Sequence, residues 1–426
     1  MKSPVKMAYP TRLLMAAAFV FAAVLVTSAQ RRDVFVQSRL IPAINYDAAP
    51  TTDAIARLNK RLADGTATLK FEPDNGYLRS VLAALDIPVD SQALVFSQTS
   101  FEGKLINVKN PRALYFNDTS ALGWVRGADA LELAAQDPKQ GVIFYTLEQK
   151  ASAKPRFERS IDCLSCHLSW DNLGVPGMMV QSVNPLPDEY SYVVGFNNTH
   201  GSPFSQRFGG WFVTGSYGGI RHMGNITVMP EDKGKMKVPN PFELASVQGL
   251  FDPKGYLTPY SDIAALLVLA HQATMTNHLT RLGWEARVAA ATPSEDAKAR
   301  VKEAANDFVD YLLFVDEESL HAPVKSTSGF AARFSAEGPK DSKGRSLHQL
   351  DLQTRLLKYP CSYMIYTEAF DALPAAAKDA VYARMWQVLS GAETNRRYTR
   401  LKPADRTAIL EILRETKPGL PAYFKG

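Results

Sequence analysis

"SDIAALLVLAHQATMTNHLTRLGWEARVAAA" occupies residues 261–291. Ser261 and Asp262 are helix-start residues, and Pro293 stops the run just past its end. The stretch predicts one long helix, and it divides the chain. Before it the sequence is built from short runs rich in β-branched and aromatic residues. After it the pattern is helical. That change of period makes the expected fold class α+β, with a β-rich N-terminal and central part and a helical C-terminal part.

Upstream, "TTDAIARLNKRLADG" (51–65) spaces Ile55, Leu58 and Leu62 helically and ends at Gly65, and "YLRSVLAALDI" (77–87) offers a second short helix. Then "ALVFSQTS", "ALYFND", "LGWVRG", "ALELAAQD" and "GVIFYTLEQ" follow, broken by Asn, Asp, Gly and Pro, which predicts a compact sheet or small sandwich. The Gly- and aromatic-rich stretch 190–229 reads as tight hairpins. Downstream, Thr292-Pro293-Ser294-Glu295 reads as a capping box opening a helix through "VKEAANDFVDYLLFVDEE". Residues 321–349, rich in Ser, Gly and Lys, read as a loop or lid. Further helices are expected near 375–390 and 404–415. Four segments result: a signal peptide (1–29), a β-rich N-terminal domain (30–157), an attachment segment with hairpins (158–240) and a helical C-terminal domain (241–426).

The chemistry sits in "RSIDCLSCHLSW", residues 159–170. Cys163, Cys166 and His167 make a Cys-x-x-Cys-His motif in a chain with three cysteines. The favoured reading is covalent attachment of haem c. One helical turn presents both sulfurs to one edge of the porphyrin, and His167 reaches the iron. Three alternatives stand beside it. Half of a zinc site would need a second Cys/His pair, and the chain has no second CxxC or close HxxxH. A redox dithiol would want a strand–CxxC–helix setting, whereas Gly174 and Pro176 follow closely. The last alternative is a structural disulfide with an incidental histidine. Cys361, in "KYPCSYMIY", reads as a buried thiol, with a redox or intermolecular role as its alternative.

The N-terminus supports export. Lys2, Lys6 and Arg12 precede an apolar run from Leu13 to Val26, and Thr27-Ser28-Ala29 follow. This is the pattern of a secretory signal. The run is shorter than the roughly 20 residues a spanning helix needs. Cleavage after Ala29 is expected, and the membrane is a partner only if the segment stays uncleaved as an anchor. The expected location is the periplasm or another exported compartment. Losing three basic residues brings the formal charge from +5 to near neutral, which argues against a nucleic-acid partner. Apolar residues at 46% and charged residues at 21% are those of a folded globular protein.

With these residues in view, the segment resembles a c-type cytochrome. The blocks "NPRALYFND", "GGWFVTG", "RHMGN" and "YPCSYMIY…FDALP" resemble a larger family of exported bacterial proteins with a monohaem cytochrome c domain and no assigned reaction. The resemblance implies one covalent haem c, iron, and a periplasmic setting. The chain departs from the small cytochromes c, whose motif lies near the mature N-terminus. Here well over a hundred residues come first and more than two hundred follow.

A second axial ligand would have to come from elsewhere in the chain. His222 leads, because the glycines of "GGIRHMGN" permit close approach to a flat cofactor and Arg221 would pair with a haem propionate. A surface hairpin histidine is its plain alternative. His271, Met275 and His278 share one face of the long helix, either as core or as a wall of the haem pocket, with His271 or Met275 on iron. His200, in "NNTHGSP", is a third candidate. Met178 and Met179 are expected to pack against the haem, and Trp170, Trp211 and Tyr217 are candidates for the same role, with ordinary hairpin packing as the favoured reading. His321, His348, Glu317 and Glu318 read as solvated.

No GxSxG, Walker loop, HExxH or placed GxGxxG competes. The expected function is one-electron transfer with a periplasmic redox partner protein, rather than catalysis by a stand-alone enzyme. A haem c oxidoreductase with an open distal site, peroxidase- or oxygenase-like, is the first alternative. A haem-based sensor or binding module is the second.

Overall fold

The computed structural model describes residues 39–183, 195–226 and 240–425. The expected signal peptide lies outside the described residues. Residues 39–49 belong to a short N-terminal unit closed by a turn, in which Tyr46 N donates to Arg39 O at 2.9 Å. Residues 50–426 pack as one unit, and the sequence boundaries drawn at 157/158 and 240/241 fall inside it.

Helix α1 (Ala54–Ala63) starts on Asp53, whose Oδ1 accepts from Ile55 N and Ala56 N, and gives way to Gly65 at φ +76°. Helix α2 (Leu78–Ala84) follows. Six strands then form one antiparallel sheet in sequence order: β1 (Ala93–Val95), β2 (Arg112–Phe116), β3 (Ser120–Trp124), β4 (Ala130–Asp137), β5 (Gly141–Glu148) and β6 (Glu158–Arg159). The tightest link is the β4–β5 hairpin. Asp137 Oδ1 accepts from Lys139 N and Gln140 N at 2.9 Å, an Asx turn. Gly141 follows at φ +90°, where a Cβ would lie 2.3 Å from Thr280 Cγ2.

The motif forms α3 (Leu164–His167), followed by the paired strands β7 (Gln181–Val183) and β8 (Gly195–Asn197). Among its described residues, the Gly-rich stretch beyond does not fold into a run of local hairpins. Its strand β9 (Gly215–Tyr217) takes distant partners, β10 (Glu243–Leu244) on one side and β11 (Val324–Lys325) on the other.

The quoted stretch is α4 (Ile263–Ala291), and nearly every side chain from Ile263 to Trp284 is buried. Such a helix is apolar all round because it has no solvent face. Asp262 caps it, with Oδ1 accepting from Ala264 N at 2.8 Å. Its other oxygen accepts from Ser326 Oγ, Thr327 N and Ser328 N at 2.6, 2.9 and 2.7 Å. That tie corrects the expectation of a lid at 321–349. The segment carries β11 and α6 (Phe330–Ala336), and Phe330, Phe334 and Leu347 are buried. Before α6, helix α5 (Glu295–Leu312) is capped by Ser294, whose Oγ accepts from Ala297 N at 3.1 Å. The cap therefore lies two residues later than the Thr292 start, with Pro293 outside the helix. The chain closes with α7 (Glu368–Asp371), α8 (Ala375–Leu389) and α9 (Pro403–Thr416). With 36% helix and 16% strand, and the strands N-terminal and central, the fold is α+β as expected.

Among the described residues no helix is long and apolar enough to cross a membrane. Cys361 is buried. Two side chains expected in solvent are buried instead, His348 and Glu317. Glu317 Oε1 accepts from Leu356 N at 2.7 Å, but burial dominates and pushes its carboxyl up to about 7, against the pull of Arg400 and Arg355. The folded state then holds a proton that the unfolded chain has released above the ordinary glutamate range. Stability should fall as pH rises from about 4.5 to about 7, by on the order of 2–3 kcal/mol. Glu317→Gln keeps an acceptor for Leu356 N and should flatten that slope, leaving the variant more stable at pH 8. Urea midpoints at pH 5 and pH 8 test this, and an unchanged slope in the variant would show that other groups carry it.

Candidate functional site

After β6 the chain is still tied to the sheet, with Ser160 N donating to Phe144 O at 2.9 Å. The turn of α3 then closes through Cys166 N and His167 N, both donating to Cys163 O, at 3.2 and 2.9 Å. Leu164 is buried and anchors the turn. Cys163 is half-buried and Cys166 exposed, and both are free thiols. Burial pushes the Cys163 thiol up, so it is held protonated.

The loop beyond the motif returns to it. Leu173 and Gly174 take left-handed conformations, φ 60° and 75°, and turn the chain back. Gly177 N donates to His167 O at 3.0 Å, and His167 Nδ1 lies 2.9 Å from Gly177 O. A carbonyl only accepts, so Nδ1 carries the hydrogen and Nε2 keeps its lone pair. Burial pushes the His167 pKa down although the Gly177 bond acts the other way, and the ring stays neutral, the form that binds metal.

This loop is held from two sides. Asn172 takes a bond from Ser169 Oγ at 2.9 Å and donates to Met178 O at 3.1 Å. From α4, Asn277 Oδ1 accepts from Met178 N at 3.0 Å and its Nδ2 donates to Met178 O at 2.8 Å. The amide thus pairs with the Met178 backbone as a neighbouring strand would. Gly177 allows the approach, because a Cβ there would lie 2.2 Å from Asn277 Oδ1.

Cys163, Cys166 and His167 line one cavity of about 560 Å³, within the range of small-molecule and cofactor sites. Its floor is one face of the sheet. Ala121 pairs with Ala134 and Gly123 with Glu132, so small residues run across its centre. Phe144 stands beside them, its ring centroid 4.7 Å from that of His167. Leu269 and Ala273 of α4 and Trp211 form further wall, and Phe101, 64% exposed, stands at the rim. Arg112 of β2 crosses Gly123 to pair with Glu132 of β4, and a Cβ at Gly123 would lie 2.4 Å from the guanidinium. Arg112 Nε is buried with no hydrogen-bond partner.

The other candidates are placed elsewhere. Among the described residues that line the cavity there is no His200, Arg221, His222, His271 or Met275. Arg221 is exposed. His222 is buried edge-on between Phe208 and Phe242, with its pKa pushed down to about 4 by burial. His271 Nδ1 lies 3.0 Å from His200 Nδ1, and its Nε2 lies 2.8 Å from Ser362 Oγ. Both rings stack with Tyr311 and Phe314, and Met275 is fully buried. The helix period explains the separation. Leu269, Ala273 and Asn277 recur at four-residue spacing toward the cavity and its loop. His271 and Met275 are offset from them by two residues, close to half a turn away. Of the packing residues expected, Met178, Met179 and Trp211 line the cavity, whereas Trp170 and Tyr217 do not.

Sequence reasoning missed Arg112, Glu132, Gly177 and Asn277. The two charges were visible as breaks in otherwise apolar strands, Arg112 before "ALYF" and Glu132 inside "ALEL". Nothing local marked Asn277. Among the described residues no group of three His, Cys, Asp or Glu side chains is placed to hold a bare ion. No family model, curated protein or solved structure matches this chain.

Asn277→Ala leaves the Met178 N–H without its partner in a buried setting. It should cost about 1–3 kcal/mol and lower the urea midpoint, and Gly177→Ala should act in the same direction by displacing the amide. Unchanged midpoints in both variants would mean that the loop holds itself in place.

Proposed function

We propose that the chain is a c-type cytochrome that carries one haem c on Cys163 and Cys166, takes His167 as axial ligand, and passes single electrons to a periplasmic redox partner. One observation carries the reading. A single helical turn puts two free thiols and a neutral imidazole on the wall of one cavity, with the imidazole's Nδ1 held by Gly177 and its Nε2 lone pair left for iron. When bound, the haem iron supplies a one-electron couple whose potential depends on its ligands and surroundings.

The residues present suit such a group. The floor of Ala121, Gly123 and Ala134 leaves room for a flat ring. The unpartnered Nε of Arg112 is a donor for a carboxylate, so Arg112 replaces Arg221 as the propionate partner. Gly177 and Asn277 fix the orientation of His167, which is the task of the groups behind a metal-ligating imidazole. Exposed Cys166 and Phe101 bring one edge of the cavity to the surface, where a partner protein docks. Export through residues 1–29 belongs to the same proposal, since attachment of haem c takes place outside the bacterial cytoplasm.

A second reading, a haem oxidoreductase with an open distal site, has its own support. His200, His222, His271 and Met275 have other neighbours, and Met178 and Met179 directly follow Gly177, whose carbonyl lies on the Nδ1 side of the His167 ring.

Two measurements test these readings. Expressed with a haem-attachment system, the denatured protein should keep one haem by mass spectrometry, and Cys163→Ala with Cys166→Ala should abolish the adduct. A haem-free mass with both thiols alkylatable would sink the proposal. Ligation is read from electronic and magnetic spectra of the holoprotein. His167→Ala should change the iron's coordination, whereas His222→Ala and His271→Ala should leave the wild-type spectrum in place. High-spin wild-type iron that binds cyanide would favour the open-site enzyme, and low-spin iron lost in either distal variant would restore that histidine as a ligand.

A further inference from the structure

A charged pair stands on the floor of the Cys163–His167 cavity, among Leu114, Ala121, Ala134 and Phe144. Leu114 of β2, Gly123 of β3 and Glu132 of β4 lie in register across the sheet. Arg112 stands two residues before Leu114 on the same face of β2. Its guanidinium crosses Gly123 to Glu132, with Nη2 2.5 Å from Oε2. A Cβ at Gly123 would lie 2.4 Å from Nη2 and 2.5 Å from Nε, so the crossing depends on the glycine. The side chains of Arg112 and Glu132 are only 20% and 17% exposed. Taking two charges this far out of water is costly, and apolar residues of the same size would fill the floor without that cost. Asp171 is the other charged side chain among the residues lining the cavity, and it is exposed, where water and salt screen it.

The place of the pair relative to His167 gives it a use. Burial sets the direction in which the His167 ring is shifted, and the Gly177 bond opposes it. Behind these, Arg112 pushes the ring away from its charged form and Glu132 draws it toward that form. Both charges therefore act on the imidazole that the haem reading puts on iron. Oxidised iron carries one more positive charge than reduced iron. A cation held nearby favours the reduced state, and an anion favours the oxidised one. We infer that Arg112 and Glu132 set the reduction potential of the redox centre proposed for this cavity, Arg112 raising it and Glu132 lowering it. Neither ligates the iron. They act as charges held at fixed distance from it by β2, β3 and β4, and the inference rests on the haem reading of the site.

The test is a mediated redox titration of the mature holoprotein at pH 7, with the covalent adduct read by mass on the same samples. At a fixed applied potential, Arg112→Gln should lower the ratio of reduced to oxidised protein about tenfold, a shift of about 59 mV. Glu132→Gln should raise that ratio by a similar factor. Arg112→Lys keeps the charge and should stay within about threefold of the wild type. A merely structural role gives a different pattern, because loosening the floor from either side admits water and moves both neutral variants in one direction. Glu132→Gln keeps an acceptor for the guanidinium, so it decides the matter if Arg112→Gln does not fold. Shifts of the same sign in the two neutral variants, or an unmoved or lowered potential in Glu132→Gln, would overturn the inference. A wild-type chain without covalent haem would overturn the haem reading and this inference together. An intact adduct with an unmoved potential would overturn this inference alone.

Discussion

Burial of α4 on every side is the constraint on which the rest of the molecule depends. A helix with no solvent face must find a partner for each stripe of side chains, and this one finds four. Leu269 and Ala273 close the cavity. Asn277 clamps the loop that holds His167. Trp284 Nε1 donates to Gln140 O at 3.0 Å and docks the β4–β5 hairpin. His271 and Met275 enter the core beside Tyr311 and Phe314. Each fully buried leucine of the helix, such as Leu266 or Leu282, contributes about 1.5–3 kcal/mol. The polar groups along it decide which surfaces meet.

Asn277, Gln272 and His271 along α4 are neutral and paired. Asn277 serves a backbone N–H and a backbone C=O together, which an apolar residue of the same size would leave unmet. Gln272 does similar work nearby, donating to Asn117 O at 2.6 Å and accepting from Tyr363 OH at 2.9 Å. In the His200–His271 pair one ring donates and the other accepts, and burial keeps both uncharged. The two histidines therefore act as hydrogen-bonding core, while His167, with its Nε2 lone pair on a cavity wall, is free to act as a ligand. The difference between these histidines is one of surroundings rather than of residue type.

A second recess, lined by Asp86, Asp118, Arg333 and Glu337, shares Phe116 with the cavity of the motif but differs from it in how its charge is arranged. Near the motif, Arg112 and Glu132 neutralise each other across Gly123, and Arg112 Nε is left as a donor without a hydrogen-bond partner. In the cleft beside α6, Arg333 is shared between Asp90 and Glu337, and the unmet charge is negative.

Much of this was legible in order along the chain. The helix of 263–291, the strands 130–137 and 141–148, and the helical turn of Cys163–His167 rest on local period, turn residues and motif spacing, and these are properties of neighbouring residues. What could not be read were the contacts between segments far apart in sequence. Periodicity grouped His271 with Met275 on one helix face but carried no sign of which face met the cavity. A Glu-Glu pair after α5 looked solvated because nothing nearby covers it, whereas Leu356 and Arg400 arrive from the far end of the chain. Arg112 and Glu132 became partners only when β2, β3 and β4 lay side by side with a glycine between them. The sequence by itself determined the α+β class, the extent of the main helices and the grouping of two thiols with one imidazole. Only the tertiary structure decided which residues surround that group, because distance between remote side chains is set by packing and leaves no local trace.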